Sequence, residues 1–182
     1  MGDYAPDPTV AKLVEPWENQ TQRWLDQPVG RLHGHDYRIR DKFDARVHKH
    51  PLISLINAIQ LELTGADLSG TSLFNEPVGF SPTVTTRDIV STYIYPNTLV
   101  VKRITGATLR AYLEQCAEYF MVIDGRLAVN PMFDEPKPQH FNYDMVDGIT
   151  YTLTISNPVG QRVTHLSYQR SEERRGGKEC RT

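Results

Sequence analysis

The clearest periodicity in the chain runs from Gly106 to Phe120. Leu109, Tyr112, Leu113, Cys116, Ala117 and Phe120 fall at i, i+3, i+4, i+7, i+8 and i+11, which lines one face of an α-helix. Thr105 stands where a hydroxyl caps the first turn. A second helix is predicted from Pro51 to Leu63, with Leu52, Ile53, Ile56, Ile59 and Leu63 as its apolar stripe and Gly65 as its C-terminal cap. Asp7 to Asp26 carries Val10, Leu13, Val14, Trp17, Trp24 and Leu25 near helical spacing. Pro16 lacks an N–H, so this helix is expected to kink or split there. Thr85 and Asp88 have the spacing of a capping box, which predicts a short helix over Thr86 to Tyr93. Pro96 pushes Tyr95 out of the helical region and makes Tyr95-Pro96-Asn97 a turn.

Period-two alternation marks the strands. Ile149, Tyr151, Leu153 and Ile155 alternate with Thr150, Thr152 and Thr154, and Val163 to Tyr168 reads as the neighbouring strand beyond Asn157-Pro158. Met121 to Asn130 reads as a hairpin turned at Asp124-Gly125. Strands are also expected at Pro28 to Leu32, within Ala66 to Phe74, and at Leu99 to Ile104. Residues 33–46, 75–83 and 131–140 read as irregular, the last two rich in proline. Helices and strands interleave irregularly and with hairpins, which predicts an α+β fold with a mixed sheet and packed helices.

Composition narrows the class. The 182 residues are 39% hydrophobic and 23% charged, with a formal charge of −2. A chain so balanced is neither wholly disordered nor built to wrap a nucleic-acid polymer. No apolar run is long enough for a membrane span, and the residues after Met1 do not read as a signal peptide, so any export signal is expected upstream of this chain.

The last residues differ from the rest. Arg170-Ser171-Glu172-Glu173-Arg174-Arg175-Gly176-Gly177-Lys178-Glu179-Cys180-Arg181-Thr182 has no apolar residue besides Cys180. It reads as a charged tail, and it resembles the translation of a common sequencing adapter. Without it the body carries a charge of −4 and one cysteine, Cys116, hence no internal disulfide.

Two constellations carry possible chemistry. His33, His35, His48 and His50 cluster in sequence. Such residues either ligate a metal, as in a small zinc protein, or stand as solvated loop histidines. The segment Tyr93-Ile94-Tyr95-Pro96-Asn97 puts two tyrosines and an asparagine at a helix-to-strand junction. A tyrosine ring can stack a nucleobase and an asparagine amide can read a base edge. The same tyrosines can equally cap the core. Cys116, on a buried helix face, reads as an inert core thiol.

That segment is also where a family resemblance enters. Tyr93 to Val101, followed by Thr105-Gly106-Ala107 and Leu113-Glu114-Gln115-Cys116-Ala117, resembles the C-terminal domain of the 5'-nucleotidase and 2',3'-cyclic-nucleotide phosphodiesterase family. Asn142-Tyr143-Asp144-Met145-Val146-Asp147-Gly148-Ile149 and Pro158-Val159-Gly160-Gln161-Arg162-Val163 resemble two further blocks of it. Ser72-Leu73-Phe74-Asn75 is closer to the cyclic-phosphodiesterase branch.

The resemblance implies an exported two-domain hydrolase, extracellular, in the cell wall or periplasmic. An N-terminal metallophosphoesterase domain would hold two divalent metal ions and hydrolyse the phosphate ester. This chain has none of that domain's metal motifs and would bind no cofactor itself. It would divide into a linker helix over 1–27, a partial substrate-binding domain over 28–169 and the tail over 170–182. By match to the family pattern, Tyr95 would stack the base and Asn97 would hydrogen-bond it. Arg46 would contact phosphate, and Phe74 and Asn75 would line the pocket. The partners would be a nucleotide or nucleoside and the N-terminal domain of the same protein. Alone, the chain is expected to hydrolyse nothing. The alternative is a non-catalytic binding module of the same ancestry on a cell-surface protein.

Overall fold

A computed structural model describes residues 5–168. In chain order the elements are α1 (Pro8–Leu25), β1 (Pro28–Arg31), β2 (Tyr37–Arg38), α2 (Lys42–Val47), α3 (Pro51–Thr64), β3 (Ser69–Ser72), β4 (Gly79–Phe80) and β5 (Thr83–Thr85). There follow α4 (Thr86–Thr92), α5 (Gly106–Ala117), β6 (Phe120–Ile123), β7 (Arg126–Val129), β8 (Asp144–Asp147), β9 (Thr150–Leu153) and β10 (Val163–Ser167). Two short 3₁₀ turns occupy Pro131–Phe133 and His140–Asn142. The α+β class is the one expected. The described strands pair two by two, all antiparallel, as β1–β5, β2–β4, β3–β8, β6–β7 and β9–β10, rather than in one mixed sheet.

Local chemistry explains most element ends. Thr85 and Asp88 close a reciprocal capping box on α4, Thr105 caps α5 at the Thr108 amide, and Gly65 ends α3 in the left-handed region. Three expectations give way. α1 runs unbroken through Pro16. Residues 33–46 hold β2 and most of α2, whose first turn is capped by Asp41 Oδ1 at 2.9 Å from the amides of Phe43 and Asp44. Leu99 to Ile104 forms no ladder among the described residues.

The chain falls into two compact units. The first comprises, of the described residues, 5–40 and 77–96. Within it, Thr92 Oγ1 accepts from the Gly79 amide and donates to the Gly79 carbonyl, at 3.1 and 3.0 Å. Gly79 has φ +83°, and a Cβ there would collide with the Tyr37 carbonyl across the β2–β4 pair.

The second unit comprises residues 41–76 and, of the described residues, 97–168. Leu109 and Leu113 of α5 pack against Val146 and Val163, flanked by Leu68, Tyr112, Ile149, Tyr151, Leu153 and Leu166. The predicted α5 face is thus the core face, and Cys116 is buried in it. Glu114 accepts from the amides of Arg162 and Val163 at 2.9 and 2.8 Å, which fixes the start of β10 on α5. Arg162 is itself buried and donates to the carbonyls of Ala117 and Phe120, both at 2.8 Å. Beside this core lies a polar network. Asn57, fully buried, donates to the Met145 carbonyl and to Asp147, and accepts from Ser69.

Candidate functional site

α2 presents Arg46 to the interior of the second unit. The side chain is 2% exposed. One Nη donates to the Lys42 carbonyl and the other to the Phe74 carbonyl, each at 2.8 Å. Its Nε has no partner among the described residues. Burial pushes the guanidinium pKa down, opposed by Tyr119, Glu76 and Asp134. Arg46 therefore joins α2 to the segment after β3 while carrying charge that its own bonds, both to neutral carbonyls, do not neutralise.

Asn75 follows directly. Its amide donates to the Pro138 carbonyl at 2.9 Å and accepts from the His140 amide at 3.0 Å. Both ends of the side chain thus hold the proline-rich segment 131–142. Phe74 and Asn75 are half-buried. Lys42 and Glu76 form an ion pair nearby on the surface.

The segment that Asn75 holds carries a row of titratable groups. Tyr119 Oη lies 2.8 Å from His140 Nδ1, and His140 Nε2 lies 3.2 Å from Asp134 Oδ1. Burial lowers the His140 pKa, and Arg46 adds to that, against Asp134 and Glu76. Burial raises the Tyr119 hydroxyl. Around them Tyr119 stacks on Tyr143, centroids 4.8 Å apart, and meets Phe120 and Phe133 edge-on. The sequence reading missed this row because its members lie in separate segments and no motif spaces them. The one available signal was a lone histidine, His140, inside a proline-rich stretch beside Phe141 and Tyr143.

The second unit also contains a cavity of about 480 Å³, bordered by Arg46, Lys49, Phe120, Tyr143, Tyr151 and Thr152. A larger one of about 650 Å³ has Ser69 and Gly70 on one side and Leu99 to Thr105 on the other. Lys49, at φ +48°, ties its ammonium to Asp147 at 2.7 Å.

The two residues read as base-recognising stand near the chain boundary of the units. Tyr95 is the last residue but one of the first unit's 77–96 stretch and is 56% exposed; Asn97 begins the second stretch of the second unit and is exposed. Tyr93, the other tyrosine of this segment, is half-buried. The four histidines divide as His33 and His35 in the first unit and His48 and His50 in the second. His48 lies 3.5 Å from Asp44, and His50 Nδ1 accepts from the Leu52 amide. Asp36 is engaged by Arg38 and Arg40. Among the described residues no group of three or more His, Cys, Asp or Glu is placed to hold a metal ion.

Comparison with known proteins decides the family. The family model described as "5'-nucleotidase, C-terminal domain" matches residues 28–174. The chain belongs to the 5'-nucleotidase C-terminal-domain family. Among relatives of this family, a 2',3'-cyclic-nucleotide 2'-phosphodiesterase/3'-nucleotidase of Haemophilus influenzae is 26% identical, over 90% of this chain and 30% of its own length. The trifunctional nucleotide phosphoesterase YfkN of Bacillus subtilis is 20% identical over 88% of this chain and 13% of its own. A crystal structure from Staphylococcus aureus, described as a 5'-nucleotidase in complex with α-ketoglutarate, superposes with a TM-score of 0.82 at 38% identity. It is matched over 93% of this chain and 32% of that one. The chain therefore spans under a third of the length of these relatives.

The match begins at residue 28, so α1 lies just ahead of the family domain. No described helix is long and apolar enough to cross a membrane. The tail from Arg170 lies outside the described residues.

Proposed function

We propose that this chain is the nucleotide-recognition part of a longer phosphohydrolase, and that the ester bond is broken by a domain outside it. What supports this is the family match over residues 28–174 together with relatives named as nucleotidases and cyclic-nucleotide phosphodiesterases. The H. influenzae and B. subtilis relatives carry the names of enzymes, which does not favour the non-catalytic alternative. Two divalent metal ions, held by the other domain, would activate water and neutralise charge on phosphorus. This chain's own residues do the recognition.

Each residue has a role that its chemistry allows. Tyr95, 56% exposed, has a ring that can stack on a base. Asn97 offers a donor and an acceptor on one amide. Arg46 supplies positive charge from a site of low dielectric, where it acts more strongly on an anion than a solvated lysine does. One of its donors meanwhile holds the Phe74 carbonyl, next to Asn75. The enzyme would act outside the cytoplasm, as the resemblance implies.

The division of labour is directly testable. The purified chain, supplied with Mn²⁺ or Co²⁺, is expected to leave 2',3'-cyclic AMP, 3'-AMP and bis-p-nitrophenyl phosphate intact. Turnover that follows the chain through purification would place the chemistry here and sink the reading.

A further inference from the structure

α1 turns its apolar face away from the unit it belongs to. Val10, Leu13, Val14, Trp17 and Trp24 are 57, 74, 47, 72 and 53% exposed, and the helix buries no residue completely. At roughly 100° per residue they form one stripe. The polar contact that ties α1 to its own unit lies on another side. Arg87 of α4 reaches Gln22 at 2.5 Å and Asp26 at 2.9 Å. Those two residues project roughly 120–160° from the direction of Val10. A single exposed apolar residue is ordinary; a continuous aromatic and aliphatic stripe marks an interaction face.

The occupant follows from where α1 stands. It ends at Leu25, immediately before the family domain, which is by its description a C-terminal domain. The H. influenzae relative is matched over 30% of its length and the S. aureus structure over 32%. In proteins of that plan the bulk of the remaining chain precedes this region, and α1 is the element next to it. We propose that the Val10–Leu13–Val14–Trp17–Trp24 stripe is the docking face for the domain that precedes α1 in the longer protein. This rests on the reading of the chain as the C-terminal part of such a protein. The stripe fits an apolar groove, and at the same spacing Glu18 and Gln20 border it on either side as a polar rim. Docked along α1, the preceding domain would have a defined orientation instead of swinging on a free tether.

The test is thiol accessibility. Leu13→Cys on the stripe and Asn19→Cys on the opposite face are each made in a Cys180→Ser background; Cys116 is buried. Maleimide labelling is followed by peptide mass, in this chain and in the longer protein read from the natural frame. Both positions are expected to label equally fast in this chain. In the longer protein Leu13→Cys should slow at least tenfold while Asn19→Cys stays unchanged, and Trp17→Glu should restore the labelling of Leu13→Cys. Equal labelling of Leu13→Cys in both proteins overturns the proposal, as does a natural frame that opens at Met1. Protection that rises with concentration in this chain alone, with a dimer in sedimentation, overturns it by giving the face to a second copy. Nucleotide binding measured on the same samples keeps the two readings apart. Its loss with Leu13 still protected removes the recognition reading and leaves the docking face standing.

Discussion

Arg46 donates to the carbonyl of Phe74 at 2.8 Å, and that bond carries α2 onto the end of β3. The other Nη holds Lys42, in the first turn of α2. Replacing Arg46 by Met keeps the apolar stem but strands a carbonyl. Each buried acceptor left unpaired costs about 1–3 kcal/mol. Arg46→Met should lower the urea midpoint accordingly, and Arg46→Lys should recover only part of it, because one ammonium on a shorter stem cannot reproduce the guanidinium fork. An unchanged midpoint for Arg46→Met would mean the clamp is dispensable.

His140 gives the second unit an acid limb. Its folded pKa lies below the ordinary value of 6.5 because burial penalises the imidazolium, with Arg46 adding to the effect. The unfolded chain therefore binds the proton more readily than the native one. The contribution to stability is full above pH 6.5 and is lost as pH falls from there through the lowered native value. His140→Gln should flatten the stability profile over that window while leaving the plateau above pH 7 within about 1 kcal/mol. A variant with the same acid slope as the parent would place the titration elsewhere.

Asn57 joins α3 to β3 and β8 without any access to solvent. It donates to the Met145 carbonyl at 3.0 Å and to Asp147 at 2.8 Å, and accepts from Ser69 at 3.0 Å. Asn57→Leu is similar in volume yet leaves several buried polar groups unpaired. It should cost more than about 2 kcal/mol. With Ser69→Ala the losses should be markedly less than additive, since the two share a hydrogen bond. Full additivity would show that the network is not coupled.

Cys116 should resist alkylation. Burial pushes its thiol up to about 11, so almost no thiolate exists at pH 8. Iodoacetamide at pH 8, followed by peptide mass mapping, should leave Cys116 unmodified in the native chain and modify it in urea. Native modification at a free-thiol rate would mean the α5 face opens.

The legible parts of the sequence were those set by local rules. The α5 face, the Thr85 capping box, the Gly65 cap and the β6–β7 hairpin each depend on residues within a few positions of one another, and each is found. α2 was missed because six residues leave no room for a period; its only signal was Asp41 as a cap. Leu99 to Ile104 has strand composition, but a strand exists only with a partner, and pairing is not written in one segment. The same limit applies to the site. That Arg46 is a basic residue was plain, whereas its burial against Phe74 depends on a segment far along the chain. The Tyr119–His140–Asp134 row is wholly a product of folding.

The central claim is that this chain recognises nucleotides, with the ring of Tyr95 as a contact. Saturation-transfer NMR with 3'-AMP and 2',3'-cyclic AMP, titrated against the parent chain and Tyr95→Ala, tests it most directly. Tyr95 is 56% exposed, and a circular-dichroism melt of Tyr95→Ala run alongside separates a loss of contact from a loss of fold. Saturable binding that weakens by about 1–3 kcal/mol in Tyr95→Ala, the range expected for one base stacked on one ring, is the predicted result. Equal affinity in both proteins would remove Tyr95 from recognition. No binding of either ligand to the parent chain would contradict the account at its root.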